Sequence, residues 1–154
     1  TVDLATSTKE SADFTVVCTI GVDKNQNIFV LDLVRQKLEA PDVLKLLEVV
    51  YDKWTPSLIG IESAGYQLSF VQMAKRQTSL PIVKLKADKD KFSRALPLSA
   101  KMESGIVYYP VDSMWYSDLE KEMLQFPAGE HDDQVDALAY GILQTSSRNK
   151  LQAY

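Results

Sequence analysis

The sequence predicts an α/β layer fold built on a mixed sheet, and three observations carry that expectation. Two apolar, β-branched runs joined by a short polar turn come first, as in an antiparallel hairpin. After them, segments with helical spacing alternate with short apolar segments, the pattern of crossover-connected parallel strands covered by helices. The third observation is what composition excludes. At 154 residues the chain suits one domain with a core of its own. Its 45% apolar and 25% charged residues leave no room for a disordered, collagenous or coiled-coil reading. No apolar run approaches the roughly 20 residues of a membrane helix.

In order along the chain, Phe14–Val22 (FTVVCTIGV) is too apolar for a strand buried on one side only. Asp23–Asn27 is a turn, and Asn27–Val34 (NIFVLDLV) is the return strand. Asp3 then closes an earlier strand. Past Pro41, which sits where a first helical turn tolerates a missing N–H, Val43, Leu46, Leu47, Val50, Tyr51 and Trp54 recur at three and four. Ser57–Glu62 is a short strand ending in an acid, Tyr66–Arg76 a helix, Leu80–Leu85 a strand and Lys91–Glu103 a helix. Gly105–Tyr109 is a strand, Trp115–Gln125 a helix, Phe126–His131 a loop and Asp132–Ser147 the last helix. With no repeat or linker, residues 1–147 read as a single domain and 148–154 as a tail. The start Thr1-Val2-Asp3 reads as cut from a longer protein.

One cysteine and one histidine remove a disulfide framework, a thiolate zinc site and the multi-histidine metal sites, and point to a reducing compartment. Any metal chemistry must use carboxylates. The net charge of −4 argues against non-specific nucleic-acid binding unless acids are gathered where a cation neutralises them.

The acids suggest such a gathering. Asp3 and Glu62 each close an apolar strand, and Asp132, Asp133 and Asp136 open the last helix in the run HDDQVDA. Asp136 is three and four residues from the other two, hence on their helical face and away from Val135, Leu138 and Ile142. In open α/β sheets, sites form at the carboxyl ends of adjacent strands. A helix starting over those ends brings four or five carboxylates together, and like charges ~4 Å apart cost about 4 kcal/mol per pair at an effective dielectric near 20. Protonation or divalent cations must relieve this, and hard oxygen ligands suit Mg²⁺ or Mn²⁺. Two such ions can activate water and stabilise the leaving oxygen of a phosphodiester. Taken singly, each acid also reads as a helix cap or a strand-end surface residue.

The runs Asp3-Leu4-Ala5, Ile59-Gly60-Ile61-Glu62 and Gly129-Glu130-His131-Asp132-Asp133-Gln134-Val135-Asp136-Ala137, with Asp90–Leu98 and Gly105–Tyr108, resemble the nuclease domain of tailed-phage terminase large subunits. The resemblance runs from Asp3 to about Leu143, and the His-Asp-Asp-x-x-Asp-Ala run is its most telling part. Leu4-Ala5 stands where that family often has Pro-Ala, which changes loop stiffness and keeps the acid. The resemblance implies an RNase H-like mixed sheet, hairpin then parallel strands, flanked by helices. It also implies cleavage of double-stranded DNA during genome packaging in the host cytoplasm. By it, Asp3 bridges two Mg²⁺ or Mn²⁺ ions, Glu62 is the strand-end ligand, and Asp133 and Asp136 are the helix ligands. Asp132 competes with Asp133 for the inward place. Implied partners are duplex DNA, an N-terminal packaging ATPase domain, the portal and the small terminase subunit. No phosphate-binding loop is present, since Tyr66-Gln67 follow Gly60 and Gly65 where Lys and Ser/Thr are required.

Six basic residues lie between Lys84 and Lys101 against two acids, so Lys84, Lys86, Lys89, Lys91 and Arg94 are candidates for a DNA-backbone cradle. A solvated helix face is the plainer account of any one of them. His131 is a helix-entry residue or an auxiliary to proton transfer. Two rivals stand beside the terminase expectation: a Holliday-junction resolvase or transposase-type nuclease of the same fold, and a docking module whose acids only cap helices.

Overall fold

The computed structural model describes residues 1–5, 14–63, 65–86 and 90–151. Among them lie β1 (Val2–Asp3), β2 (Thr15–Val22), β3 (Ile28–Gln36), α1 (Ala40–Trp54), β4 (Ile59–Glu62) and α2 (Tyr66–Gln77). The chain continues through β5 (Ile82–Leu85), α3 (Lys91–Glu103), β6 (Val107–Tyr108), α4 (Tyr116–Gln125) and α5 (Asp133–Leu151). The sheet order is β5-β4-β1-β2-β3-β6. β1, β2 and β3 pair antiparallel, whereas β1–β4, β4–β5 and β3–β6 are parallel. A hairpin start followed by crossovers is the arrangement the sequence predicts.

The hairpin turns because Asp23 organises it. Its Oδ1 accepts the backbone N–H groups of Asn25 and Asn27, both at 2.8 Å, and its Oδ2 accepts Asn27 Nδ2 at 2.9 Å. β2 is buried on both faces from Thr15 to Thr19, which explains its lack of polar alternation. One core packs Val2, Leu4, Val17, Ile59, Ile61 and Ile82 of the sheet against Val43, Leu47 and Val50 of α1 and Phe70, Val71 and Ala74 of α2. The other packs Val16, Cys18, Ile28, Val30 and Leu33 against Leu98 of α3, Leu119 of α4 and Val135, Leu138 and Ile142 of α5. The result is three layers, with α1 and α2 on one face and α3, α4 and α5 on the other. A Cβ on Gly141 would lie 3.0 Å from Ile20 Cδ1, so the glycine lets α5 press closely onto β2.

Strand alternation now places two acids. Val2 and Leu4 face α1 and α2, so Asp3 between them faces α5; Ile59 and Ile61 also face α1 and α2, so Glu62 turns the same way. Val2 pairs with Ile61 in the parallel ladder, which puts Asp3 and Glu62 one step further along adjacent strands. β3 runs to Gln36, beyond the expected end at Val34, because β2 supplies partners for both extra residues, Val16 to Arg35 and Thr15 to Gln36. As Asp3 also pairs with Val16, Asp3, Val16 and Arg35 form one row across the sheet. α5 continues to Leu151, past the expected end at Ser147. Among the described residues no helix is long and apolar enough to cross a membrane.

Candidate active site

The first turns of α5 cover the ends of β1 and β4. Asp133 and Asp136 are 4% and 5% exposed, which is rare for carboxylates and requires compensation. Asp3 reports the crowding. Burial first, then Asp136, Asp133 and Glu62, push its carboxyl from the ordinary 3.8 up to about 7, with Lys91 opposing. Four acids from three distant parts of the chain are therefore near enough to act on one another.

Asp132 and Asp133, the two candidates for the inward place, sit differently. Asp133 lies inward, its Oδ2 accepting the Phe14 N–H at 3.3 Å with Arg35 Nη2 4.0 Å away. Asp132 lies at the mouth, where Lys91 Nζ donates to both its oxygens at 2.7 Å. Lys91 Nζ also stands 3.8 Å from Asp136 Oδ2.

Arg94, expected on a DNA-facing surface, is placed differently. It is 6% exposed, and its Nε and Nη2 donate to Asp136 Oδ1 at 3.3 and 3.0 Å. Its Nη1 donates to the Tyr140 hydroxyl at 2.9 Å, and the guanidinium stacks over that ring at 4.5 Å. Tyr140 in turn donates to Glu62 Oε2 at 2.9 Å. The physical reason is charge: a buried aspartate needs a cation, and Arg94, one helical turn from Lys91, reaches it. Burial holds the Asp136 carboxyl above its ordinary range, and Arg94 and then Lys91 offset only part of that.

Lys84 and Lys86 are exposed on and just past the edge strand β5, and Lys89 lies outside the described residues. His131 packs edge-on to Phe14 at 5.4 Å between ring centres, and its buried Nδ1 has no hydrogen-bond partner among the described residues.

A family model described as Terminase RNaseH-like domain matches residues 1–145. The chain belongs to that family. A comparison with curated proteins finds no match. Among solved structures, this terminase RNaseH-like domain is similar to the crystal structure of the yeast mitochondrial Holliday junction resolvase Ydc2. The likeness has a TM-score of 0.62 at 11% identity, over 99% of this chain and 79% of that one, and shows the RNase H-like fold. Family and fold together support a nuclease.

Does the terminase domain's site suit a divalent cation? Among the described residues, no three Asp, Glu, His or Cys side chains already form a ligand set. The donor chemistry nevertheless fits. Asp3, Glu62, Asp132, Asp133 and Asp136 supply only hard oxygen donors, and three cationic side chains, Lys91, Arg94 and Arg35, oppose them. Burial and then the excess negative charge hold Asp3 so far from its ordinary titration range.

Three contributors are not identifiable as site residues from the sequence. Glu122, 5% exposed in α4, accepts the N–H groups of Gln134 and Val135 at 2.7 and 2.9 Å and Gln134 Nε2 at 2.7 Å. It caps the start of α5 from a neighbouring helix and so fixes where Asp133 and Asp136 begin. The available signal is an acid on the apolar side of a short helix, three residues from Leu119. Tyr140 reads as core, and its ring is buried; only the hydroxyl enters the site. Arg35 falls beyond the expected strand end, yet its guanidinium lies 3.7 Å over Phe14 and beside Asp133.

Proposed function

We propose that this terminase RNaseH-like domain is a divalent-metal-dependent endonuclease that hydrolyses double-stranded DNA during phage genome packaging. The observation that carries the reading is the convergence of Asp3, Glu62, Asp133 and Asp136 at one end of the sheet, with Asp3 raised to about 7 by burial and then by the other three. Asp3, Glu62, Asp133 and Asp136 would hold Mg²⁺ or Mn²⁺, with Asp132 at the rim. Bound there, two such ions supply activation of a water and stabilisation of the leaving 3′-oxygen.

The chain's own residues do the rest. Arg94 fixes the Asp136 carboxylate, and Tyr140 turns Glu62 through a hydrogen bond that also ties β4 to α5. The Phe14 N–H and Arg35 steady Asp133, and Glu122 anchors the helix that carries both aspartates. Lys84, Lys86, Lys89 and Lys91 are the proposed phosphate contacts, which position a duplex without reading its sequence. In the packaging setting this domain works with an ATPase domain, the portal and the small terminase subunit in the host cytoplasm.

Asp3→Asn tests the reading. Mn²⁺-dependent cleavage of linear or plasmid duplex is expected to vanish while the fold persists; unchanged cleavage would sink it. A second reading, favoured by the resolvase neighbour, is a junction-resolving nuclease. It predicts a strong preference for four-way junctions over linear duplex in the same assay, and the packaging reading predicts little preference.

A further inference from the structure

Two cations of α3 face the acids, and they are held in opposite ways. The Arg94 side chain is 8% exposed, stacked on Tyr140 and bonded to both Asp136 and the Tyr140 hydroxyl. The Lys91 side chain is 57% exposed and, among the described residues, ties to carboxylates alone, at 2.7 Å to both oxygens of Asp132 and 3.8 Å to Asp136. A guanidinium gripped by several partners stays; an ammonium on a flexible stem at the rim can leave.

Nothing local to α3 calls for a lysine there. Lys91 is the first residue of the helix, at its positive end, where a cation is disfavoured; Asp90 already caps the Ser93 N–H at 2.9 Å. The side chain is held by the field of the acids. A divalent cation among those acids would cancel that field and repel the ammonium, because both compete for the same oxygens with unequal charge. The released ammonium would still stand at the mouth of the site, within reach of any nucleic acid presented there.

We propose that Lys91 is the exchangeable counter-ion of the site: it holds Asp132 and Asp136 until a divalent cation arrives, then transfers to a DNA phosphate. This inference rests on the nuclease reading above and adds a linkage to it. One ammonium cannot serve the carboxylates and a phosphate together, so each ligand frees Lys91 for the other's benefit. Metal and DNA then strengthen one another's binding by the same factor, as reciprocity requires.

The experiment titrates Ca²⁺ alone by calorimetry, and a short fluorescent duplex with and without Ca²⁺, for the wild-type chain and Lys91→Met. Thermal melts check that the variant folds, which the exposed position favours. In the wild type, duplex is expected to tighten Ca²⁺ binding, and Ca²⁺ to tighten duplex binding, by a common factor of about five to ten. The slope of log affinity against log salt should steepen by about one on adding Ca²⁺, the mark of one new phosphate contact. In Lys91→Met, Ca²⁺ alone should bind several-fold more tightly because its competitor is gone, and the mutual factor should fall toward one. A Lys91→Met chain that binds Ca²⁺ as the wild type does, with the mutual factor intact, overturns the exchange and leaves the nuclease reading standing. A wild-type chain that binds neither Ca²⁺ nor Mn²⁺ overturns both.

Discussion

The Tyr140 hydroxyl donates to Glu62 at 2.9 Å while accepting from Arg94 at the same distance, so one phenol joins the end of β4 to α3 and α5. A hydroxyl that donates and accepts at once has both functions satisfied, which a buried group requires. Burial and the bond to Glu62 raise the phenol's pKa, so it stays a donor throughout the working range. Tyr140→Phe is expected to keep the ring's packing and lose about 1–2 kcal/mol of stability. Divalent-dependent cleavage should fall about tenfold or more as Glu62 loses its orientation. Thermal melts and cleavage rates on the same preparation separate the two effects.

Asp3 makes the stability of the metal-free chain depend on pH. Its carboxyl titrates near 7 in the fold against an ordinary 3.8, so between those values the folded state keeps a proton that the unfolded state gives up. Stability therefore falls as pH rises from about 4 to about 7 and is level beyond. Asp3→Asn, which has no charge to bury, should lack that fall. In chelator the variant is expected to exceed the wild type by about 1–3 kcal/mol above pH 7 and to match it below pH 4. Denaturant titrations at several pH values check this. Adding Mn²⁺ should raise the wild-type melting temperature and leave the variant's nearly unchanged.

The fold was legible where the hydrophobic period was clean. Val43, Leu47 and Val50 of α1 and the buried β2 run repeat at the spacings their elements demand, and those elements lie where the sequence puts them. The alternation around Asp3 and Glu62 was equally readable, because apolar neighbours fix which face an acid takes. What sequence withholds is which distant cation answers which acid. Lys91 and Arg94 share a helical face and look alike as basic residues, yet one is buried against Asp136 and the other is half in solvent. Arg35 enters only because β2 extends the ladder to Gln36, a tertiary effect no local pattern encodes.

Arg94 should behave as a structural cation that a metal ion can replace. Arg94→Leu leaves Asp136 buried without its principal partner and is expected to cost about 3 kcal/mol or more in chelator. Because the missing charge is positive, Mn²⁺ should restore a larger share of stability to this variant than it adds to the wild type. Urea midpoints with and without Mn²⁺ measure the difference, and equal increments in both proteins would contradict the assigned role.

Glu122 is expected to control the start of α5 with no contact to DNA. Its carboxylate satisfies the N–H groups of Gln134 and Val135, which have no carbonyl one turn earlier in the helix to bond. Glu122→Ala removes a buried acceptor from both and should destabilise the chain by about 2–4 kcal/mol. Glu122→Gln keeps one oxygen for the two backbone groups and turns an amide toward Gln134 Nε2, so about half the loss is expected to return if Gln134 rotates its own amide. Hydrogen exchange at Gln134 and Val135 reads the cap directly: protection should be lost in Glu122→Ala and largely kept in Glu122→Gln. If both variants exchange these amides as the wild type does, α5 starts without help from α4, and the placement of Asp133 and Asp136 has another cause.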